Sequence, residues 1–380
     1  MAPRIALIGC GSWGENLARN LHELGVLTMV CDPSEAARQT AKQKVPGVEI
    51  SDSFASAMED SNLDGVVIAT PAETHYELAR HALESGKDVF VEKPLALNPA
   101  EGHNLHRLAQ ERDRILMVGH LLEYHPAVDH LKGMIRKGEL GELRYIYSHR
   151  LNFGKIRTEE NALWSFAPHD VAVILRLIGE MPQEVHCTGG SYLTPGLPDV
   201  TMSVLKFTSG VRAHIFVSWL NPYKEQKLVV TGSERMAVFN DLARQKLVLH
   251  KQWVDFENAR PVLKNQGTDA VELSNAEPLR KECEHFVHCI EHRQKPLTDG
   301  ESGVRVLEVW DIWISFFCKL QFLNCTLKKS HQKICIFGGT RFFLKSEKIM
   351  TILKTTRKIF RFTVVFCEGV INYALAKHNC

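Results

Sequence analysis

The run Gly9-Cys10-Gly11-Ser12-Trp13-Gly14 lies between a short apolar stretch at residues 4–8 and a helical pattern at residues 15–24 that stops at Gly25. A GxGxxG alone constrains little. Lodged between a strand and a helix, it constrains the whole N-terminal fold. The first glycine permits a tight turn, the second lets a pyrophosphate approach the backbone, and the third lets helix and strand pack closely. The anion rests on the helix N-terminus, beside the backbone of Ser12 and Trp13. Residues 26–31 read as the second strand, and Asp32 ends it, 18 residues after Gly14. A carboxylate there accepts from ribose hydroxyls and repels a 2′-phosphate, so the spacing predicts a dinucleotide site that takes NAD over NADP.

Strand and helix go on alternating. Residues 65–69 form an apolar strand ended by Thr70-Pro71, and residues 74–85 a helix closed by Gly86. Residues 88–91 are a strand followed by the loop Glu92-Lys93-Pro94. Residues 99–111 are a helix with proline at its start, and residues 115–118 a strand ended by Gly119. Repeated βα units imply a doubly wound parallel sheet, an α/β Rossmann domain over residues 1–121. Ligands bind at the carboxyl ends of such strands, where Gly9, Asp32, Thr70, Pro71, Glu92, Lys93 and Pro94 all fall.

After Gly119 the pattern changes. Residues 126–137 read as a helix and 143–152 as a strand, and a further helix begins near His169 and runs to Leu177. Period-two segments then dominate. Val211, Ala213, Ile215, Val217 and Trp219 alternate with Arg212, His214, Phe216 and Ser218, and Val200, Met202 and Val204 with Thr201 and Ser203. Such patterning marks half-buried strands of a large, mainly antiparallel, open-faced sheet. One face would cover the crevice and the other would join subunits, making a homo-oligomer. Residues 279–292 and 301–310 are the last helices of this second domain, residues 122–310.

The bulk numbers fit two soluble domains: 380 residues, 44% hydrophobic and 24% charged. The N-terminus enters a strand directly, without the features of a signal peptide, and no run of about 18 apolar residues marks a membrane span. The ten cysteines contain no CxxC. They read as free thiols of a cytoplasmic enzyme with no nucleic-acid or membrane partner. The net charge of +2 conceals two parts: residues 311–380 carry 12 Lys+Arg against 3 Asp+Glu, and the preceding residues 34 against 41. This tail also holds 9 of the 18 Phe and 5 of the 10 Cys. Two readings stay open for it: a basic tail for an acidic surface, or residues outside the native fold, as out-of-frame or read-through translation would add.

Glu92-Lys93-Pro94 after a strand, behind an N-terminal GxGxxG and with Ala69-Thr70-Pro71 followed by Thr74-His75, resembles the glucose–fructose oxidoreductase/inositol dehydrogenase/MocA family over about residues 4–310. The resemblance implies NAD as cofactor, bordered by Thr70, Pro71, His75, Glu92 and Pro94. It also implies that Lys93 reaches the reacting hydroxyl beside the nicotinamide. The chemistry asks for the same group. A hydride leaves a carbinol carbon only if the hydroxyl proton leaves too; an ammonium stabilises the developing charge while a base takes the proton. A cis bond before Pro94 would turn Lys93 inward.

Members of that family usually carry a histidine at a helix start, with one aspartate four residues before it and another three after. His169 takes the histidine place, but Ser165 and Ala172 stand where the aspartates usually are, and Asp170 is adjacent instead. His169 is then the expected base, with Asp170 as helix-start acceptor or orienter. The stretch 161–170, Val217-Ser218-Trp219 and residues 282–286 resemble members that act on nucleotide sugars. This implies oxidation of the 3-hydroxyl of a UDP-sugar such as UDP-N-acetylglucosamine. Arg150, Asn152, Lys155, Arg157 and Trp164 would then line the substrate, with the cations meeting its diphosphate. A free-sugar or inositol dehydrogenase and a non-catalytic NAD-binding regulator are the alternatives. Cys283, His285, His288, Cys289 and His292 fall within ten residues. On a helix they point in different directions, so no metal is expected.

Overall fold

The computed structural model describes residues 2–154, 156–157, 160–327, 335–337 and 340–342, with side chains of the body as far as Trp313. Residues 1–327 form one compact unit and residues 328–380 a second. In the second, the short strands Cys335–Phe337 and Thr340–Phe342 pair antiparallel. Beyond Leu327, the two readings left open for residues 311–380 otherwise concern residues outside those described.

The first sheet of the body has six strands: β1 (Ile5–Ile8), β2 (Leu27–Cys31), β3 (Glu49–Ser51), β4 (Gly65–Ile68), β5 (Asp88–Glu92) and β6 (Leu116–Gly119). Their order is β3-β2-β1-β4-β5-β6 and every pairing is parallel. This is the doubly wound Rossmann order, with its switch point between β1 and β4. All residues of β1, β4 and β5 are buried, as two-sided coverage by helices requires. The covering helices are α1 (Gly14–Glu23), α2 (Glu35–Lys44), α3 (Phe54–Glu59), α4 (His75–Glu84) and α5 (Pro99–Glu111). Their ends carry ordinary signals. Ser34 and Asn98 accept from Ala37 N and Glu101 N as N-caps, and Gly25 and Gly86 follow α1 and α4 with φ of 74° each.

Beyond it come α6 (Pro126–Arg136), β7 (Leu143–Phe153), α7 (Ala162–Ile178) and seven further strands: β8 (Pro182–Gly190), β9 (Val200–Phe207), β10 (Arg212–Ser218), β11 (Leu220–Gly232), β12 (Met236–Asn240), β13 (Leu247–Glu257) and β14 (Arg260–Val271). They form an eight-stranded sheet in the order β14-β13-β12-β11-β7-β10-β9-β8. Only β7 and β10 pair in parallel. Helix α7 packs on one face of this sheet, over a core that includes Ile146, Ala213, Ile215, Val217 and Val230.

Three details differ from the sequence reading. On β9 the faces are reversed. Thr201 and Ser203 are 0% exposed, while Met202 and Val204 are 53% and 41% exposed. Leu205 and Phe207 fix the parity, because both belong to the core and share the face of Thr201 and Ser203. Helix α7 starts at Ala162, not near His169, because the Asn161 side chain accepts from Trp164 N at 2.8 Å and caps it there. Pro168 thus lies inside the helix, and His169 and Asp170 are interior residues rather than cap residues.

The last helices return to the first sheet. In α8 (Pro278–His292), Phe286 meets Phe90 edge-on at 5.6 Å. Helix α9 (Gly300–Leu327) places Val304 and Leu307 in the core around Leu95 and Leu105, and Trp310 and Trp313 in the core under the large sheet. It runs through the expected boundary after residue 310, and the buried Trp313 lies beyond that boundary.

Candidate active site

The glycine loop follows β1, and each glycine has a separate physical reason. Gly9 has φ of 90°, and a Cβ on it would come within 2.8 Å of the Ala69 carbonyl oxygen. A Cβ on Gly14 would lie 2.2 Å from the Gly9 carbonyl oxygen, so helix α1 can approach the loop only through glycine. A Cβ on Gly11 would meet nothing within 4 Å. That open space above the backbone fits the pyrophosphate of a dinucleotide. No side chain caps α1 at Trp13, which leaves the helix end to an anion. At the end of β2, Asp32 accepts from Cys10 N at 2.7 Å and Ser34 N at 2.8 Å. These bonds aim its carboxylate over the loop, and among the described residues no cation is paired to it. The ribose end of NAD fits such a group.

Across the crevice, Trp13 Nε1 donates to Glu92 Oε1 at 2.5 Å. Burial pushes the Glu92 carboxyl up to about 7, against the pull of Trp13 and Lys93. The Lys93–Pro94 bond is cis. Lys93 Nζ donates to the Ser165 carbonyl of α7 at 3.5 Å, and Ser165 stands one helical turn before His169. Burial, with Arg157 and Arg150 nearby, holds the Lys93 ammonium below the ordinary lysine range, while Glu160 and Glu92 oppose this. Burial also pushes His169 well below its ordinary value, aided by the charges of Lys93, Arg150 and His120. Lys93 and His169 therefore sit at one end of the crevice: a desolvated ammonium beside a neutral imidazole.

Asp170 does not act at a helix start. It is buried inside α7, accepting from Ser148 Oγ at 2.6 Å and Arg150 Nε at 2.7 Å. Arg150 thus enters the site already tied to a carboxylate. Arg157 pairs with Glu160 at 3.0 Å. Lys155 lies outside the described residues, and Asn152 lies on the last turn of pleat in β7. Trp164, expected to line the substrate, packs its indole edge-on against Trp310, with centroids 4.5 Å apart.

His75 is also corrected. Its two ring nitrogens lie 2.7 Å from the Pro94 carbonyl and 2.9 Å from the Thr70 carbonyl, in a buried position. Neither nitrogen is left for a cofactor; the ring clamps the loops after β4 and β5 together. Thr70 and Pro71 follow the end of β4, where Thr70 Oγ1 accepts from Thr74 Oγ1 at 2.7 Å. His120, which the sequence reading passed over, is 2% exposed, and among the described residues neither of its ring nitrogens has a partner. Its signal was its place at the end of a parallel strand, directly after Gly119. In α8, Cys283 and Cys289 are buried in the core, and the His288 and His292 rings lie against each other at 4.1 Å. Among the described residues no group of three or more His, Cys, Asp or Glu could hold a metal ion.

Residues 3–120 match the family described as "Oxidoreductase family, NAD-binding Rossmann fold", and residues 128–238 match the "GFO/IDH/MocA C-terminal domain". The chain belongs to the GFO/IDH/MocA oxidoreductase family. It is an NAD-dependent dehydrogenase of that family. Among its relatives is a UDP-N-acetylglucosamine 3-dehydrogenase of Acidithiobacillus ferrooxidans, 26% identical over 307 residues, which covers 80% of this chain and 94% of that protein. The solved structure of that enzyme covers 84% of this chain and 98% of its own, with a TM-score of 0.74 and 24% identity. A scyllo-inositol 2-dehydrogenase (NAD(+)) of Bacillus subtilis is 25% identical, covering 80% of this chain and 91% of that one. A levoglucosan dehydrogenase solved with NADH shares the fold at a TM-score of 0.72 and 18% identity, covering 84% and 98%. The family's fold is the one described above: a parallel Rossmann sheet joined to a mainly antiparallel one.

Proposed function

We propose that this enzyme oxidises a secondary hydroxyl of a sugar to a ketone, and that its substrate is a UDP-sugar oxidised at the 3-hydroxyl, such as UDP-N-acetylglucosamine. The observation that carries the reading is the bridge from Lys93 to the Ser165 carbonyl, one turn before His169. It brings an ammonium and an imidazole to the carboxyl end of β5, where the crevice ends. NAD, when bound, supplies the hydride acceptor. Lys93 donates to the substrate oxygen and stabilises the alkoxide as it forms. His169 accepts the hydroxyl proton, so one proton and one hydride leave together and the C–O bond becomes C=O. Glu92 and Trp13 hold the wall of the crevice, and His75 fixes the loop that aims Lys93. Asp32 selects NAD through the ribose.

One observation favours a second reading, a free-sugar or inositol dehydrogenase. Arg150 is paired to Asp170 and Arg157 to Glu160, which weakens the positive field a diphosphate needs. The two separate in one assay. The protein is incubated with NAD and, in turn, UDP-N-acetylglucosamine, free N-acetylglucosamine and inositol, while NADH absorbance is followed. Reduction with the UDP-sugar alone is the expected result, because binding energy on the nucleotide orients the sugar. Turnover of a free sugar or inositol with UDP-sugars inert would transfer the assignment to the second reading.

The open face of the large sheet, with Met202 and Val204 exposed, supports self-association through that face. Light scattering should then give more than one subunit, and Met202→Lys should return the protein toward a monomer. The free, buried cysteines at 10, 31, 187, 283 and 289 support a reducing, cytoplasmic setting. Cell fractionation tests that placement.

A further inference from the structure

Asp32 and Lys93 stand at the carboxyl ends of their strands; the amino end of the same sheet carries a cavity of its own. The turn from α5 into β6 and the turn from α8 into α9 enclose an open cavity of about 260 Å³. Gln110, Asp113 and Arg114 line it from the first turn, and Arg293, Lys295 and Asp299 from the second. After α1, α4 and α7 a glycine takes the left-handed turn that ends the helix. After α5 and α8 it is taken by Asp113 (φ 51°) and Arg293 (φ 50°), so both helix ends bring a charged side chain to the cavity.

Two of the lining cations are matched. Arg293 Nη1 donates to the buried Asp88 at 2.6 Å and Nη2 to the Asp113 carbonyl at 2.7 Å. Lys295 Nζ lies 2.7 Å from Asp299 and 3.0 Å from Glu301. Arg114 is not matched. Its Nε is buried without a partner, and among the described residues no carboxylate pairs with its guanidinium. A second cation stands behind it. Val89 and Leu116 are register partners, and Lys87 and Arg114 each come two residues before them. Lys87 is buried, and its Nζ donates to the Asp60 and Leu63 carbonyls at 2.6 and 2.8 Å rather than to a carboxylate. Asp113 is exposed at the rim, where solvent screens its charge.

A buried polar atom without a partner marks a place where an acceptor belongs. A guanidinium fork matches the oxygens of a phosphate or a carboxylate. Charge decides between the two: a pair of cations without a carboxylate suits the near-double charge of a phosphate monoester better than the single charge of a carboxylate. Size sets the rest of the ligand. The cavity has the volume of roughly nine waters, more than a lone ion fills and too little for a dinucleotide. We propose that this cavity binds a small phosphate monoester, with Arg114 holding the phosphate, at a site separate from the NAD crevice.

The test is calorimetric titration of the full chain with sn-glycerol 3-phosphate as the probe. NADH is kept saturating, so that the glycine loop is filled and cannot take the phosphate. The expected result is one probe molecule per chain with a Kd below about 1 mM. Arg114→Gln should weaken it by about tenfold or more, the scale of a lost charge-assisted pair, with NADH affinity unchanged. Where Arg114→Gln fails to fold, Arg114→Lys keeps the charge and removes the fork, and should weaken the probe by about threefold or more. No binding of the probe, or affinity unchanged in the variant that folds, overturns the proposal. So does equal binding of malonate at the same ionic strength, because a site that takes a dicarboxylate as well is not built for phosphate.

Discussion

Replacing Lys93 by methionine keeps the length and volume of the side chain and removes its charge, so it separates chemistry from packing. Without the ammonium the substrate oxygen loses its charge-stabilising donor. Turnover should fall by about a hundredfold or more, equivalent to about 2.7 kcal/mol of transition-state stabilisation. NAD affinity should stay within about twofold, because the groups proposed to hold the cofactor, the glycine loop and Asp32, lie elsewhere. Stability should move the other way. The one hydrogen bond that the Lys93 side chain makes among the described residues is the 3.5 Å contact with the Ser165 carbonyl. At that length it contributes only a fraction of about 1 kcal/mol. Opposing it is the cost of holding a charge out of water, the main cause of the lowered lysine pKa. Methionine removes that cost, offset in part by lost attraction to Glu160 and Glu92, for a net gain of about 1–3 kcal/mol. On the scale of about 2 °C per kcal/mol for a unit of this size, the melting temperature should rise by about 2–6 °C. Steady-state NADH formation and a thermal melt with and without NAD measure both sides. Normal turnover in Lys93→Met would refute the role, and a large drop in melting temperature would show a structural strut instead.

Four further outcomes follow from the geometry. Unmodified enzyme should prefer NAD over NADP, and Asp32→Ala should narrow that preference; equal affinities in the unmodified protein, by titration, would count against the carboxylate's role. Asp170→Ala leaves Arg150 Nε and Ser148 without their buried acceptor and should cost about 3 kcal/mol in denaturant unfolding, whereas a change under about 0.5 kcal/mol would mean that water replaces it. Glu92 has a carboxyl raised to about 7 from 4.5, so the folded state binds the extra proton and its contribution to stability falls as pH rises from about 4.5 to about 7. Glu92→Gln should therefore flatten that part of the stability–pH curve by a slope on the order of 1 kcal/mol per pH unit, and an unchanged curve would contradict the shift. Truncation after Leu327 should keep NAD binding, while truncation after Trp310 should unfold the body, because it removes the buried Trp313, a loss of about 3–5 kcal/mol; stable NAD binding by the shorter chain would refute this.

What the sequence determined alone is everything fixed by neighbours along the chain. The turn at Gly9, the closing glycines after α1 and α4, proline at the start of α5 and the apolar runs of β1, β4 and β5 are local choices of backbone conformation. They define a parallel α/β order, and that order puts Asp32 and Lys93 at strand ends. Residues 33–64, which hold α2, β3 and α3, carry little periodicity in their short elements, so their structure is not legible locally. The tertiary structure decided what depends on partners far away in sequence. Thr201 and Ser203 face inward because Leu205 and Phe207 share their face and pack beneath α7. The cap at Asn161, not the Pro168-His169 pair, sets where α7 begins. Arg150 is held by a carboxylate 20 residues on, His75 by two carbonyls, and Trp164 by a tryptophan of the last helix. His120 joins Lys93 only through the register of two strands. A side chain's type and spacing tell which chemistry it can perform; whether its donors and acceptors remain available is settled by long-range packing, which no local pattern encodes.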